Sequence, residues 1–248
     1  MAGHSKWAQI KRQKQAADFR KGQIFSKLAR EIHVAVREGG PNPETNVRLR
    51  MAIERARREG MPKDTIENAI AKASGAASGD QEYETIVYEG YGPGGIAIMA
   101  IAVTDNRNRT ASVVRHTFTK FGGSLGETGS VAWQFETLGQ IVVETDGHNP
   151  EEIALAAIDA GARDFEVDDD TVIVTTDPDQ LGDVVERLQA AGYQIRQADL
   201  QRVPTTTVEL EGSQAQSALK LLEALEDLDD VQEVYTNASF PAEVRGAV

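Results

Sequence analysis

The spacing of apolar residues changes once along the chain, at the small-residue stretch Gly75-Ala-Ala-Ser-Gly79. Upstream they recur every three or four residues, the period of one helix face; downstream, runs with a period of two begin. The first part therefore has to pack helix on helix, and the second has to build sheets. A length of 248 residues holds two domains of ordinary size, or three small ones. The charge changes sign at the same place. Residues 1–78 carry 16 Lys and Arg against 8 Asp and Glu, whereas residues 79–248 carry 10 against 31. The formal charge of −13 is thus a basic third attached to a strongly acidic body. That body repels phosphate, so nucleic-acid contact is confined mainly to the first third.

Composition narrows the chemistry further. With no cysteine there is no disulfide, no thiol nucleophile and no Cys-based zinc site. The four histidines, His4, His33, His116 and His148, lack metal-ligand spacing. No cofactor or metal is expected. No apolar run approaches the ~18–20 residues that span a bilayer. The start, Met1-Ala-Gly-His-Ser-Lys-Trp7, has no apolar core of a secretory signal. The expected location is the cytoplasm.

Three helices are expected before the linker. Ile24, Phe25, Leu28, Ile32 and Val36 share a face in a helix that starts near Ala16 and stops at Gly39-Gly40-Pro41. Asn42 reads as an N-cap with Pro43 at the first position of the next helix, which turns Leu49, Ala52, Ile53 and Ala56 inward. The third opens at Pro62-Lys-Asp64, with Ile66, Ala69, Ile70 and Ala73 inward. After the linker come strands Tyr83–Glu89 and Ile96–Thr104, helix Arg109–Phe121, a glycine-rich loop, and strand Ser130–Phe135. Residues 136–204 then run strand, helix, two strands, helix, strand, which is the ferredoxin-like split βαβ order. Strand Thr206–Leu210, helix Ser213–Glu226 and strand Val231–Thr236 complete the chain. The expected fold class is α+β with three domains: residues 1–78, a discontinuous α/β domain of 80–135 plus 205–240, and an inserted ferredoxin-like domain of 136–204.

Several motifs have plain structural readings. Gly90-Tyr-Gly92-Pro-Gly-Gly95 matches G-x-G-x-x-G, but a buried strand follows it where a dinucleotide site needs a helix. It reads as a hairpin-like turn. Asp168-Asp-Asp170 reads as a hairpin turn before a cation site, and Glu226–Asp230 as a solvated helix end. No glycine elbow and no acid/base pair of carboxylates is recognisable, so the chain is not expected to be an enzyme. In Thr104-Asp-Asn-Arg-Asn-Arg-Thr110 two readings stand. Asp105 or Asn108 caps a helix while the arginines pair with carboxylates, or Arg107 and Arg109 form a second phosphate- or partner-contact site, near Arg115 and Lys120 where the helix face allows.

The basic arm carries the main expectation. Lys6, Lys11, Arg12, Lys14, Arg20, Lys21, Lys27 and Arg30 meet a single acid, Asp18, within thirty residues, with Trp7 and Phe19 interleaved. Such cations neutralise phosphates, and an aromatic ring stacks on a base. In the second helix Arg48, Arg50, Arg55, Arg57 and Arg58 fall off the apolar face and join the candidate contacts.

Ala2-Gly-His-Ser-Lys-Trp7, Asn42-Pro-Glu-Thr-Asn46, Met61-Pro-Lys-Asp64, Tyr88-Glu-Gly-Tyr-Gly-Pro-Gly-Gly95, Thr104-Asp-Asn-Arg-Asn-Arg-Thr-Ala-Ser112 and Gly129-Ser-Val-Ala132 together resemble the YebC/PmpR family over nearly the whole chain. The resemblance implies a cytoplasmic, non-enzymatic protein of one helical and two α/β domains. Bacterial members are described as DNA-binding transcriptional regulators. The related mitochondrial translational activator of cytochrome oxidase subunit I, and some bacterial members, act in translation. Gln13 and Gln23 stand where relatives tend to be basic. Three functions are therefore carried forward: a DNA-binding regulator, a translation factor on ribosomal RNA, and a small-molecule sensor, the last from fold analogy alone.

Overall fold

The computed structural model describes residues 21–75, 83–168 and 170–241. In chain order the helices α1 (Lys21–Gly39), α2 (Val47–Arg58) and α3 (Lys63–Ala73) are followed by β1 (Glu84–Tyr91), β2 (Ala97–Thr104), α4 (Arg107–Lys120) and β3 (Ser124–Leu125). Then come β4 (Phe135–Glu144), α5 (Pro150–Asp159), β5 (Asp164–Asp168), β6 (Thr171–Thr176), α6 (Leu181–Ala190) and β7 (Ile195–Pro204). The last described elements are β8 (Val208–Glu209), α7 (Gly212–Glu226), β9 (Val231–Thr236) and β10 (Ala238–Ser239). The fold class is α+β: three helices, then antiparallel sheets. Two compact units divide it, residues 1–135 with 203–248, and residues 136–202. Among the described residues no helix is long and apolar enough to cross a membrane.

Helices α1 to α3 share one apolar cluster. Leu28, Ile32, Ala35 and Val36 meet Leu49, Ala52, Ile53 and Ala56, with Met61 and Ile66 closing it. The α2 face is the one its spacing predicts. Its start is not: the cap is Asn46, with Val47 the first helical residue. The buried Asn46 accepts from Leu49 N at 3.0 Å and donates to the Ala35 and Gly40 carbonyls, both at 2.8 Å. One side chain thus caps α2 and satisfies two carbonyls at the end of α1. The Asn42 side chain instead accepts from Glu44 N at 3.0 Å in the turn before.

In the same unit a sheet runs in the order β3-β1-β2-β9, each neighbour antiparallel. Helices α4 and α7 contribute Val114, Phe118, Leu221, Leu222 and Leu225 to a core with Tyr88, Ile98 and Val234. Between β1 and β2 the chain turns at Gly94 and Gly95, both with φ of 76°. A Cβ on Gly94 would stand 2.3 Å from Leu210 Cδ2, so a side chain there would force Leu210 to move as well as strain φ. The G-x-G-x-x-G match is therefore a turn between two strands. Strands β8 and β10 form a short parallel pair.

One expected strand, Ser130–Phe135, is absent. The carboxylate of Glu89, only 4% exposed, accepts from the backbone N–H groups of Gly129, Val131 and Ala132 at 2.7–2.8 Å. Those donors are turned toward one buried anion and cannot join a ladder; a single 3₁₀ turn, Ala132–Gln134, follows, and the strand begins at Phe135.

The second unit forms a four-stranded sheet in the order β5-β6-β4-β7, with β6 antiparallel to both β4 and β5. With α5 and α6 in the connections, this is the strand order of the split βαβ arrangement. Helix α6 buries Val184, Val185 and Leu188. Asp168 pairs with Thr171 across the β5–β6 hairpin.

Candidate nucleic-acid interface

Lys6, Trp7, Lys11, Arg12, Lys14 and Arg20 lie outside the described residues. Lys21 is the first residue of α1. The candidate cations that follow divide into two groups, those engaged by carboxylates and carbonyls and those open to solvent.

Helix α1 uses its basic face inside the molecule. Gln23, Lys27 and Arg30, spaced four and three apart, share one side of the helix. Gln23 donates to the Asp229 carboxylate at 3.0 Å and Lys27 Nζ to the Glu226 carbonyl at 2.6 Å. Arg30 donates to the Asp229 carbonyl and stands 3.4 Å from the Asp230 carboxylate. The turn Glu226–Asp230 is therefore not a merely solvated helix end. Its acids, the last carbonyl of α7 and the Asp229 carbonyl form a receptor for the polar side chains of α1, helped by the negative C-terminal end of the α7 dipole. Lys27, expected at nucleic acid, is half-buried and donates into this contact.

The five arginines of α2 separate in the same way. Arg48 pairs with Glu38, both side chains 56% exposed. Arg55 lies 3.4 Å from Glu31 on α1 and 3.8 Å from Glu233 on β9. Arg50 is half-buried. Only Arg57 and Arg58, in the last turn, are exposed without an ion pair among the described residues.

At Thr104–Thr110 the helix cap is Asn106, which accepts from Arg109 N at 3.0 Å, in place of Asp105 or Asn108. Asn106 is placed for this because its own N–H donates to Thr104 Oγ1 at 2.9 Å. Arg109 donates to Asp105 and to Asp230, each at 2.9 Å, while Thr110 donates to Asp230 at 2.6 Å. Burial alone would raise the Asp230 carboxyl. Hydrogen bonds from Thr110 and Arg109, and the charges of Arg109 and Arg30, outweigh it and hold the group below its ordinary value. Arg107 stands 3.6 Å from Glu84, both exposed. The paired reading thus describes Arg109, and in weaker form Arg107.

Sequence reasoning missed Gln23, Asp229, Asp230 and Glu233 as contact residues. Their partners are about 200 positions away along the chain for α1 and the acidic turn, so no local pattern marks them. Among the described residues no group of three His, Asp or Glu is placed to hold a metal ion.

Residues 5–76 match the sequence profile of the TACO1/YebC N-terminal domain, and residues 83–238 that of the TACO1/YebC second and third domains. A protein of Thermomicrobium roseum named "Probable transcriptional regulatory protein" is 91% identical over 248 residues, the full length of both chains. Proteins so named from Dictyoglomus turgidum and Thermus thermophilus are 51% and 52% identical, over 98% and 96% of both chains respectively. A conserved hypothetical protein of Aquifex aeolicus, whose crystal structure is solved, superposes with a TM-score of 0.83 at 48% identity, covering 90% of this chain and 92% of that one. Two profiles that together span most of the chain, and relatives matched over nearly all of it, place it plainly: the chain belongs to the TACO1/YebC family.

Proposed function

We propose that this protein is a nucleic-acid-binding regulator of gene expression that grips its target at phosphates through the N-terminal third. The observation that carries this is the separation of charge, net +8 over residues 1–78 against −21 over the rest. The acidic turn takes Lys27 and Arg30 as internal partners; among the described residues of the N-terminal third Arg57, Arg58 and Lys72 are exposed without an ion pair, and with the arm they are the cations offered to an outside anion. The relatives' name supports a transcriptional role; in this reading the target is duplex DNA and no reaction is catalysed. Residence in the cytoplasm goes with that reading.

A second reading, a translation factor on ribosomal RNA, is favoured by a specific observation. Arg48 and Arg55 are tied to carboxylates, so α2 presents no row of free cations along its length to lie in a major groove. A basic end on an acidic body enters folded RNA, while it wraps a duplex poorly. Crosslinking in cells, followed by sequencing of bound DNA and RNA together, tests both. Discrete promoter sites support the first reading and ribosomal RNA the second; background recovery of both overturns the proposal.

A further inference from the structure

In the discontinuous α/β part, residues 83–135 with 203–241, there are 5 Lys and Arg against 12 Asp and Glu. Four of those five cations, Arg107, Arg109, Arg115 and Lys120, lie on α4, whose 14 residues include no acid. Helix α4 is therefore the one basic element of an acidic surface. Its N-terminal pair is engaged by Glu84, Asp105 and Asp230. Its second half is different. Arg115, His116 and Lys120 are exposed, and neither Arg115 nor Lys120 has an ion pair among the described residues. Lys120 Nζ is 5.3 Å from the centre of the Phe121 ring, which holds the ammonium near the helix end.

The rest of the face is polar and able to hydrogen-bond. Asn108, Ser112, Arg115 and Thr119 recur at four, three and four residues, so they form one stripe, and all four are exposed. Thr119 Oγ1 donates its proton to the Arg115 carbonyl at 3.0 Å. Toward solvent this hydroxyl therefore offers an acceptor. A phosphate oxygen has no proton to give it, whereas a ribose 2′-hydroxyl does. Cations alone suit any polyanion; a hydroxyl beside them with a free lone pair adds a contact that a ribose 2′-hydroxyl can fill.

We propose that the solvent face of α4, centred on Arg115, Thr119 and Lys120, is a second nucleic-acid contact that holds the phosphates and 2′-hydroxyls of a folded RNA. It rests on the nucleic-acid reading above and extends it to the acidic body. The acids around α4 confine the contact to this stripe, so the body meets its target along one helix.

The test uses the full chain with an RNA stem-loop and a DNA duplex of matching sequence, titrated across a salt series. Arg115→Ala with Lys120→Ala is expected to weaken RNA binding about tenfold and to lower the log–log salt slope by roughly 1.4–1.8, two contacts at 0.7–0.9 each. Thr119→Val is expected to weaken RNA binding several-fold at an unchanged slope and to leave DNA binding as it was. Lys220→Ala, the one cation of this part of the chain outside α4, should change neither. Because these side chains are exposed, thermal midpoints should match wild type; Arg115→Gln with Lys120→Gln serves if the alanine variant does not fold. Wild-type RNA affinity and slope in both double variants overturn the α4 site while leaving the N-terminal reading intact. A Thr119→Val loss that is equal on DNA and RNA overturns the assignment to RNA. A wild-type protein that binds neither probe overturns the nucleic-acid reading itself.

Discussion

Arg109 donates to Asp230 across 2.9 Å, joining the first turn of α4 to a residue 121 positions later. Arg30 stands 3.4 Å from the same carboxylate, so one acid ties α1, α4 and the turn before β9 together. Three segments meet there, and neither contact is local in sequence.

That node predicts an acid-sensitive contribution to stability. A carboxyl whose folded pKa is lowered stabilises the fold fully above its unfolded value, about 3.9 for Asp. The contribution is then lost as pH falls through the folded value. Urea unfolding should show stability declining below about pH 4. Asp230→Asn should cost about 1–3 kcal/mol at neutral pH and flatten that acid limb. An acid limb identical in variant and wild type would show that Asp230 does not carry it.

The α2 arginines should separate by function. Arg57→Ala with Arg58→Ala should lower nucleic-acid affinity and reduce the salt slope by roughly 1.4–1.8, with the thermal midpoint unchanged. Arg55→Ala should do the reverse: a loss of up to about 1 kcal/mol in stability from its half-exposed ion pairs, and little change in slope. A larger slope change from Arg55 than from the Arg57/Arg58 pair would contradict the geometry.

Glu89 should be among the costliest single positions in the sheet domain. Glu89→Ala leaves the N–H groups of Gly129, Val131 and Ala132 without their shared acceptor in a buried site. The expected loss is about 3 kcal/mol by chemical denaturation. Glu89→Gln keeps one acceptor oxygen and should lose less. Equal, small losses for both would mean that the loop finds other acceptors.

Periodic burial is legible in the sequence. Leu49, Ala52, Ile53 and Ala56 face the helical core as their spacing requires, and the βαββαβ order of the second unit follows from alternating short runs. Choices between chemically equivalent residues are not. Asn42 and Asn46 are both good caps, and only the reach of Asn46 to Ala35 and Gly40 decides between them. Ser130–Phe135 has strand-like residues, but Glu89 captures its donors from forty positions upstream. The charge split was visible, whereas its internal use was not. Lys27 and Arg55 look like free cations in sequence because Glu226 and Glu233 reach them only through the tertiary fold.

The arm is expected to supply the main electrostatic grip. Changing Lys6, Lys11, Arg12 and Lys14 together to Ala should weaken binding to unrelated sequences alike and lower the salt slope by roughly 3, at 0.7–0.9 per contact. An unaltered slope in a salt titration would make the arm a bystander.

Trp7 distinguishes the two targets. Bases in folded RNA loops expose a face on which an indole stacks, a contact worth ~1–3 kcal/mol. Bases in duplex DNA stay stacked on one another and present only edges, so phosphate contacts gain nothing from the ring. For a protein that works on ribosomal RNA, Trp7→Ala should reduce ribosome binding about tenfold or more, since ~1.4 kcal/mol is a factor of ten. The same change should barely alter binding to a duplex. For a duplex-binding regulator, promoter affinity should survive the substitution and ribosome binding should be negligible from the start. A large loss on duplex DNA matching that on ribosomes would remove stacking on unpaired bases as the explanation and assign Trp7 to the folding of the arm.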